Sequence, residues 1–217
     1  SGNCSLESSE TRGWCWLVGD RLDADKLAPA PTSMSDQSQT VFKRLYRAAQ
    51  RPEDLPWHHA EPPALLAEAL DAGREPGTAL DVGCGAGTYS MYMARRGYRV
   101  TGVDFMPEAV ELLRRQAADS GLKVTAIQAD ILVWAPPHAC DVVLDVGCLH
   151  SLGTGRHAIY KARLLSWLVP GGDFVLVHCG RRGWWDQWPI GPDRVSHDAL
   201  IRLFAPELVL QAYRPEV

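Results

Sequence analysis

A chain of 217 residues with 46% hydrophobic and 22% charged residues can bury a sizeable core, which excludes wholesale disorder, a collagen-like repeat and two full-sized enzyme domains. The formal net charge of -4, from 22 Lys+Arg against 26 Asp+Glu, gives no general pull toward nucleic acid or an anionic membrane, so a small-molecule partner is expected. Six cysteines at 4, 15, 84, 140, 148 and 179 lack C-x-x-C spacing, so they read as reduced thiols of a cytoplasmic protein with no metal site. No apolar run of about 18 residues spans a bilayer, and Trp14 to Gly19 is too short for a signal-peptide core.

Residues 1–40 show no sustained period and are rich in Ser, Asp, Pro and Thr, which predicts a flexible extension, with docking of Trp14 and Trp16 on the body as the alternative. From Val41 the recurrence of Val41, Phe42, Leu45 and Ala48, with Lys43, Arg44, Arg47 and Arg51 facing away, predicts an amphipathic helix. Leu55 to Pro63 must be a loop because its prolines remove amide donors and favour extended geometry before them. A second helix follows over 63–72. Strands are then expected near 78–83, 98–103, 123–128, 141–146 and 173–179, and helices near 87–96, 107–120, 156–168 and 197–204. A last extended run covers Leu208 to Tyr213. Such alternation implies a parallel sheet with helices on both faces and a ligand at the carboxyl ends of the strands.

Three constellations sit at those ends. Asp81-Val82-Gly83-Cys84-Gly85-Ala86-Gly87 is a strand running into a glycine turn, where absent Cβ atoms permit a sharp bend and bring amides near a ligand. An ordinary strand-to-helix connection would look similar. Asp104-Phe105 ends the next strand about 20 residues on, where a carboxylate can accept both ribose hydroxyls or cap the helix at Pro107. Asp130-Ile131 follows the third strand, with an acceptor for an exocyclic amine beside an apolar contact, or else a plain loop acid. A dinucleotide fingerprint would need a small residue at Thr88, and Asp81 suits a ligand carrying ammonium and sulfonium better than a pyrophosphate.

With its D-x-G-x-G motif as Asp81, Gly83 and Gly85, the chain resembles the class I S-adenosylmethionine-dependent methyltransferases over about residues 55–210. The resemblance implies a Rossmann-like α/β three-layer sandwich with a mostly parallel sheet. It also implies S-adenosylmethionine as cofactor, with Asp81, Gly83, Cys84, Gly85 and Gly87 near its methionine part, Asp104 and Phe105 at the ribose, Asp130 and Ile131 at the adenine. Leu168-Val169-Pro170-Gly171-Gly172 looks like the family's L-x-P-G-G turn before the fifth strand. On this reading residues 41–217 form the methyltransferase domain with an N-terminal helical lid. The family sheet has seven strands, the last antiparallel, whereas this chain ends after its sixth candidate, so the last strand is expected to be missing or displaced. The first forty residues match nothing in the family.

The fourth strand delivers Asp145, Val146, Cys148 and His150 to the same edge, beside the methyl donor. His150 is the candidate catalytic base for an oxygen or nitrogen nucleophile, against a histidine merely packed on the following helix. Cys148 reads as a substrate contact or a small packed residue, since no basic neighbour would lower its pKa. The loop carrying Trp184 and Trp185 and the segment Trp57-His58 are candidate substrate lids. The second of these resembles, more weakly, the thiopurine, thiol, halide and tellurite methyltransferases. The N/D-P-P-Y/F motif of DNA-base methyltransferases is missing, which weakens a flipped-base reading. The expected function is methyl transfer to a small-molecule acceptor by a monomer or homodimer. The competing readings are an NAD(P)-dependent oxidoreductase and a non-catalytic cofactor-binding module.

Overall fold

The computed structural model describes residues 12–19, 36–72, 75–179 and 194–216. Thirteen elements longer than a single 3-10 turn follow in chain order: β1 (Arg12–Gly19), α1 (Asp36–Ala48), α2 (Ala64–Leu70), β2 (Thr78–Val82), α3 (Thr88–Arg95), β3 (Arg99–Asp104) and α4 (Pro107–Ser120). They continue with β4 (Val124–Gln128), β5 (Cys140–Val146), α5 (His157–Trp167), β6 (Leu168–Cys179), α6 (His197–Phe204) and β7 (Leu208–Glu216). Local chemistry sets several boundaries. Pro107 opens α4, where its missing amide costs nothing, and Gly121 closes it with φ +66. Ser196 caps α6 by accepting from the Ala199 amide.

The strands form one sheet in the order β4-β3-β2-β5-β6-β1-β7. The five strands from β4 to β6 run parallel, as the alternation of strand and helix implied. Helices α5 and α6 cover one face, with Tyr160, Leu164, Trp167, Leu200 and Phe204 packed on Leu80, Val82, Val143 and Phe174. Helices α2 and α3 cover the other, with Leu65, Leu66 and Met93 on Ala79, Val142, Leu144 and Val175. The three-layer Rossmann-like sandwich is thus present. Strand order reverses between β2 and β5, and their carboxyl ends open the crevice where a ligand would enter.

Two expectations are corrected here. Residues 12–19 are not a flexible extension. They form β1, inserted antiparallel between β6 and β7, with Trp14 opposite Val177 on one side and Arg214 on the other. The sheet's antiparallel strand therefore comes from the N-terminal end of the sequence, and β7 runs parallel to β6 beyond it. The helix expected from residue 41 begins at Asp36, and its buried stripe is Phe42, Leu45, Tyr46 and Ala49, at helical steps of three, four and seven, while Val41 is exposed. The L-x-P-G-G turn lies inside β6 as an irregularity. Cys140 pairs with Leu168 and Val142 with Asp173, so the residues between are looped out, with Gly171 at φ +74.

Candidate functional site

The glycine turn after β2 is held from within the protein. Gly83, Gly85 and Gly87 have φ of +67, +53 and +89, conformations that side-chain-bearing residues rarely adopt. The amides of Gly83 and Cys84 both donate to the Val103 carbonyl, Gly87 donates to Cys84, and Gly85 donates to Asp104 Oδ2 at 2.9 Å. These four amides thus have partners within the protein. The missing side chains serve packing in the same way. A Cβ on Gly83 would lie 2.9 Å from Cys148 Cβ, one on Gly85 2.9 Å from the Tyr46 hydroxyl, and one on Gly87 2.2 Å from Leu113 Cδ1. The Cys84 thiol belongs to the apolar cluster of Met91 and Leu113, so only its backbone lies in the turn.

Asp104 joins the first two motifs. Besides Gly85, it accepts from the Met106 amide at 2.8 Å through Oδ1. The residue is 6% exposed, and a carboxylate has more acceptor sites than these two amides use, so it can still meet a ribose hydroxyl. Phe105 beside it is 38% exposed and free to cover an adenine ring. Asp130 is half-buried and accepts from the Leu132 amide, forming the turn that carries the buried Ile131. The ribose and adenine parts of the expected site thus lie side by side on adjacent strands, β3 and β4.

Asp81 and Asp145 are both held by partners within the protein. Asp81 is buried and accepts from Ser90 Oγ at 2.6 Å, tying β2 to α3 beneath the turn. Asp145 is 0% exposed, and its oxygens accept from the Cys148 amide at 2.7 Å, the Leu149 amide at 3.0 Å and the Tyr160 hydroxyl at 2.6 Å. It has no surface to offer a cofactor, so its expected binding role is corrected to that of a positioning residue: it folds the turn after β5. That turn carries the half-buried Val146, Cys148 and His150. The His150 ring lies over Gly147, where a Cβ would come 3.0 Å from Cε1. Burial and the Asp145 carboxylate push the Cys148 thiol well above its usual range, which leaves it neutral and packed against Gly83.

Helix α1 meets this crevice through a residue not singled out in the sequence. Tyr46 projects from α1 onto Gly85, and Trp57 packs edge-on against both Phe42 and Tyr46, with centroids 5.3 and 5.5 Å apart. His58 Nδ1 lies 3.3 Å from Thr88 Oγ1 at the start of α3. Arg47 pairs with Glu108, tying α1 to α4. Trp57 and His58 are therefore brought to the glycine motif as expected, whereas Trp184 and Trp185 lie outside the described residues. Tyr46 was not among the stripe residues expected from sequence, which were Val41, Phe42, Leu45 and Ala48.

The electrostatics favour a cation. Burial pushes Asp81 up to about 7 and Asp104 and Asp145 up to about 6, and residues 81–90 and 145–155 contain no Lys or Arg. With folded values above the ordinary carboxylate value, these groups stabilise the ligand-free fold fully below about pH 4 and lose that contribution as pH rises through 6 to 7. A bound cation has the opposite preference, since it favours the ionised carboxylates. Affinity for S-adenosylmethionine should therefore rise about tenfold from pH 5 to pH 7.5, with proton release on binding. Calorimetry in buffers of different ionisation enthalpy checks this, and a flat profile without proton release would refute it. Among the described residues no cluster of His, Cys, Asp and Glu could hold a metal ion, and no helix is long and apolar enough to cross a membrane.

Known proteins match this region. Residues 79–172 match the family model described as a methyltransferase domain. The 2-heptyl-1-hydroxyquinolin-4(1H)-one methyltransferase of Mycobacteroides abscessus is 28% identical over 150 residues, covering 66% of each chain. The ubiquinone biosynthesis O-methyltransferase of Vibrio cholerae is 46% identical over 95 residues, 43% of this chain and 38% of that protein. A solved structure described as "Conversion of a Disulfide Bond into a Thioacetal Group during Echinomycin Biosynthesis" superposes with a TM-score of 0.52 at 32% identity, covering 62% of this chain and 56% of that one. The chain thus spans about two fifths to two thirds of the curated relatives it matches. None of these similarities favours a nicotinamide oxidoreductase. The matched span, which carries the glycine turn pinned by Asp104, makes this chain similar to the class I S-adenosylmethionine-dependent methyltransferases.

Proposed function

We infer that this protein methylates a hydroxyl oxygen of a small organic acceptor, with His150 as the base. The observation that carries the reading is the placement of His150: it stands on the turn that Asp145 folds at the end of β5, next in the sheet to the β2 glycine turn over which Tyr46 and Trp57 close. The names of the two curated relatives point the same way, one to a hydroxyquinolinone and the other to an O-methylation.

S-adenosylmethionine, when bound, supplies a methyl group already activated by its sulfonium. Asp104 would hold the ribose, Phe105 and Ile131 the adenine, and the buried carboxylates would offset the positive charge. The aromatic lid of Phe42, Tyr46 and Trp57 excludes water from the crevice and sets an apolar wall for the acceptor. His150 would take the proton of the acceptor hydroxyl whose oxygen receives the methyl group. Cys148 packs the floor, and His58 stands at the lid's inner end.

His150→Ala should lower kcat by about 10²- to 10⁴-fold on a phenolic acceptor while leaving S-adenosylhomocysteine affinity unchanged. Following S-adenosylhomocysteine formation across phenols, thiols and amines tests the acceptor class. Turnover of thiols alone, or an unaffected kcat in the variant with a phenol, would overturn the reading.

A further inference from the structure

At the edge of the sheet opposite the methyl-transfer crevice, the amino ends of β2, β3 and β4 border a cleft of about 380 Å³. Its floor is a two-by-two array set by strand geometry. Arg99 and Thr101 share one face of β3 because side chains alternate along a strand, and Lys123 and Thr125 share the same face on β4, with Thr101 registered against Thr125. Two cations thus stand side by side at the mouth with two hydroxyls behind them, and His138, Pro136 and Pro137 form the opposite wall. Both cations are exposed, and neither has a carboxylate partner among the described residues, where ion pairs form elsewhere, such as Arg47 with Glu108 and Lys161 with Glu207.

Like charges on neighbouring strands repel unless something anionic lies between them. The nearby carboxylate of Asp141 does not serve, because it is turned to the amide and hydroxyl of Thr78 at 2.7 and 2.8 Å. We propose that this cleft is a second ligand site for a small organic phosphate, its anionic end between Arg99 and Lys123 and the Thr101 and Thr125 hydroxyls, its body against Pro136 and Pro137. The phosphate oxygens accept from the guanidinium, the ammonium and both hydroxyls, so each donor of the array has a partner. The site lies at the opposite strand ends from Asp104 and His150, so its occupant does not compete with the cofactor.

The test uses the full chain saturated with S-adenosylhomocysteine, which fills the cofactor position. Phenyl phosphate should raise the melting temperature, inorganic phosphate should do so less at equal concentration, and phenol should shift none of the amides of residues 99–101, 123–125 and 136–138. Arg99→Gln and Lys123→Ala should each weaken phenyl phosphate binding by about tenfold, corresponding to the loss of one charge-assisted contact, with S-adenosylhomocysteine affinity unchanged. Amide shifts of the unaltered protein on titration should centre on residues 99–101, 123–125 and 136–138. Absence of binding at millimolar phenyl phosphate, equal binding of inorganic phosphate, shifts centred elsewhere, or undiminished binding in both variants would each overturn the proposal.

Discussion

Removal of residues 1–19 is expected to cost this protein most of its net stability. Strand β1 is an interior strand, hydrogen-bonded to β6 through Arg12–Val18 and to β7 through Arg12–Gly19. Without it, two ladders vanish together, and the edges of β6 and β7 face an open gap. Buried backbone donors and acceptors left without partners cost about 1 to 3 kcal/mol each, and a whole domain has only about 5 to 15 kcal/mol to lose. Because β6 and β7 run in the same direction, the gap could close only by β7 moving one strand position sideways. That movement would drag along α6, whose Leu200 and Phe204 are packed on the sheet. The truncated chain should therefore melt at least ~10 °C lower and lose amide protection in β6 and β7 before β2, β3 and β5. Unchanged melting and unchanged protection in those two strands would show that β1 is dispensable.

That strand was also the element least legible from sequence, for a physical reason. The run Trp14-Cys15-Trp16-Leu17-Val18 has no alternation, because a strand in the interior of a sheet covered on both faces need not alternate, and a short apolar run does not reveal its structure. The parallel frame was readable because its punctuation is strong. Gly83 to Gly87, Pro107 and Gly121 mark turns and helix ends by backbone chemistry that few other residues can supply. Within the site, residue types were readable and their tasks less so. Asp81, Asp104 and Asp145 all end strands in the sequence, yet one ties down a helix, one remains open to a ligand, and one folds a turn. Those differences depend on which donors lie within 3 Å, which a linear pattern does not contain. Tyr46 was hidden for the same reason: an apolar stripe says that a helix is covered, not that its tyrosine lies on Gly85.

Asp104→Asn should raise the dissociation constant for S-adenosylmethionine by about one to two orders of magnitude, the loss of one or two charge-assisted hydrogen bonds. The residue stands between two backbone donors, the amides of Gly85 and Met106, and needs an acceptor toward each. A carboxylate offers two, whereas a carboxamide offers one and turns its NH2 toward the other amide. The variant must therefore either leave Gly85 without its acceptor or free the amide of Met106 at the start of α4. In the first case the glycine turn loosens, and in the second the remaining oxygen is held away from the ribose; both outcomes weaken binding. A modest fall in melting temperature, a few degrees, should accompany the change because the turn is also held by Val103, which accepts from Gly83 and Cys84. With Asp104 and Asp145 both pushed up to about 6 and Asp81 to about 7, the variant should show a smaller rise in affinity between pH 5 and pH 7.5 than the unaltered protein. A variant that binds the cofactor as the unaltered protein does, with an unchanged pH profile, would remove Asp104 from the site and leave it as a clamp on the glycine turn alone.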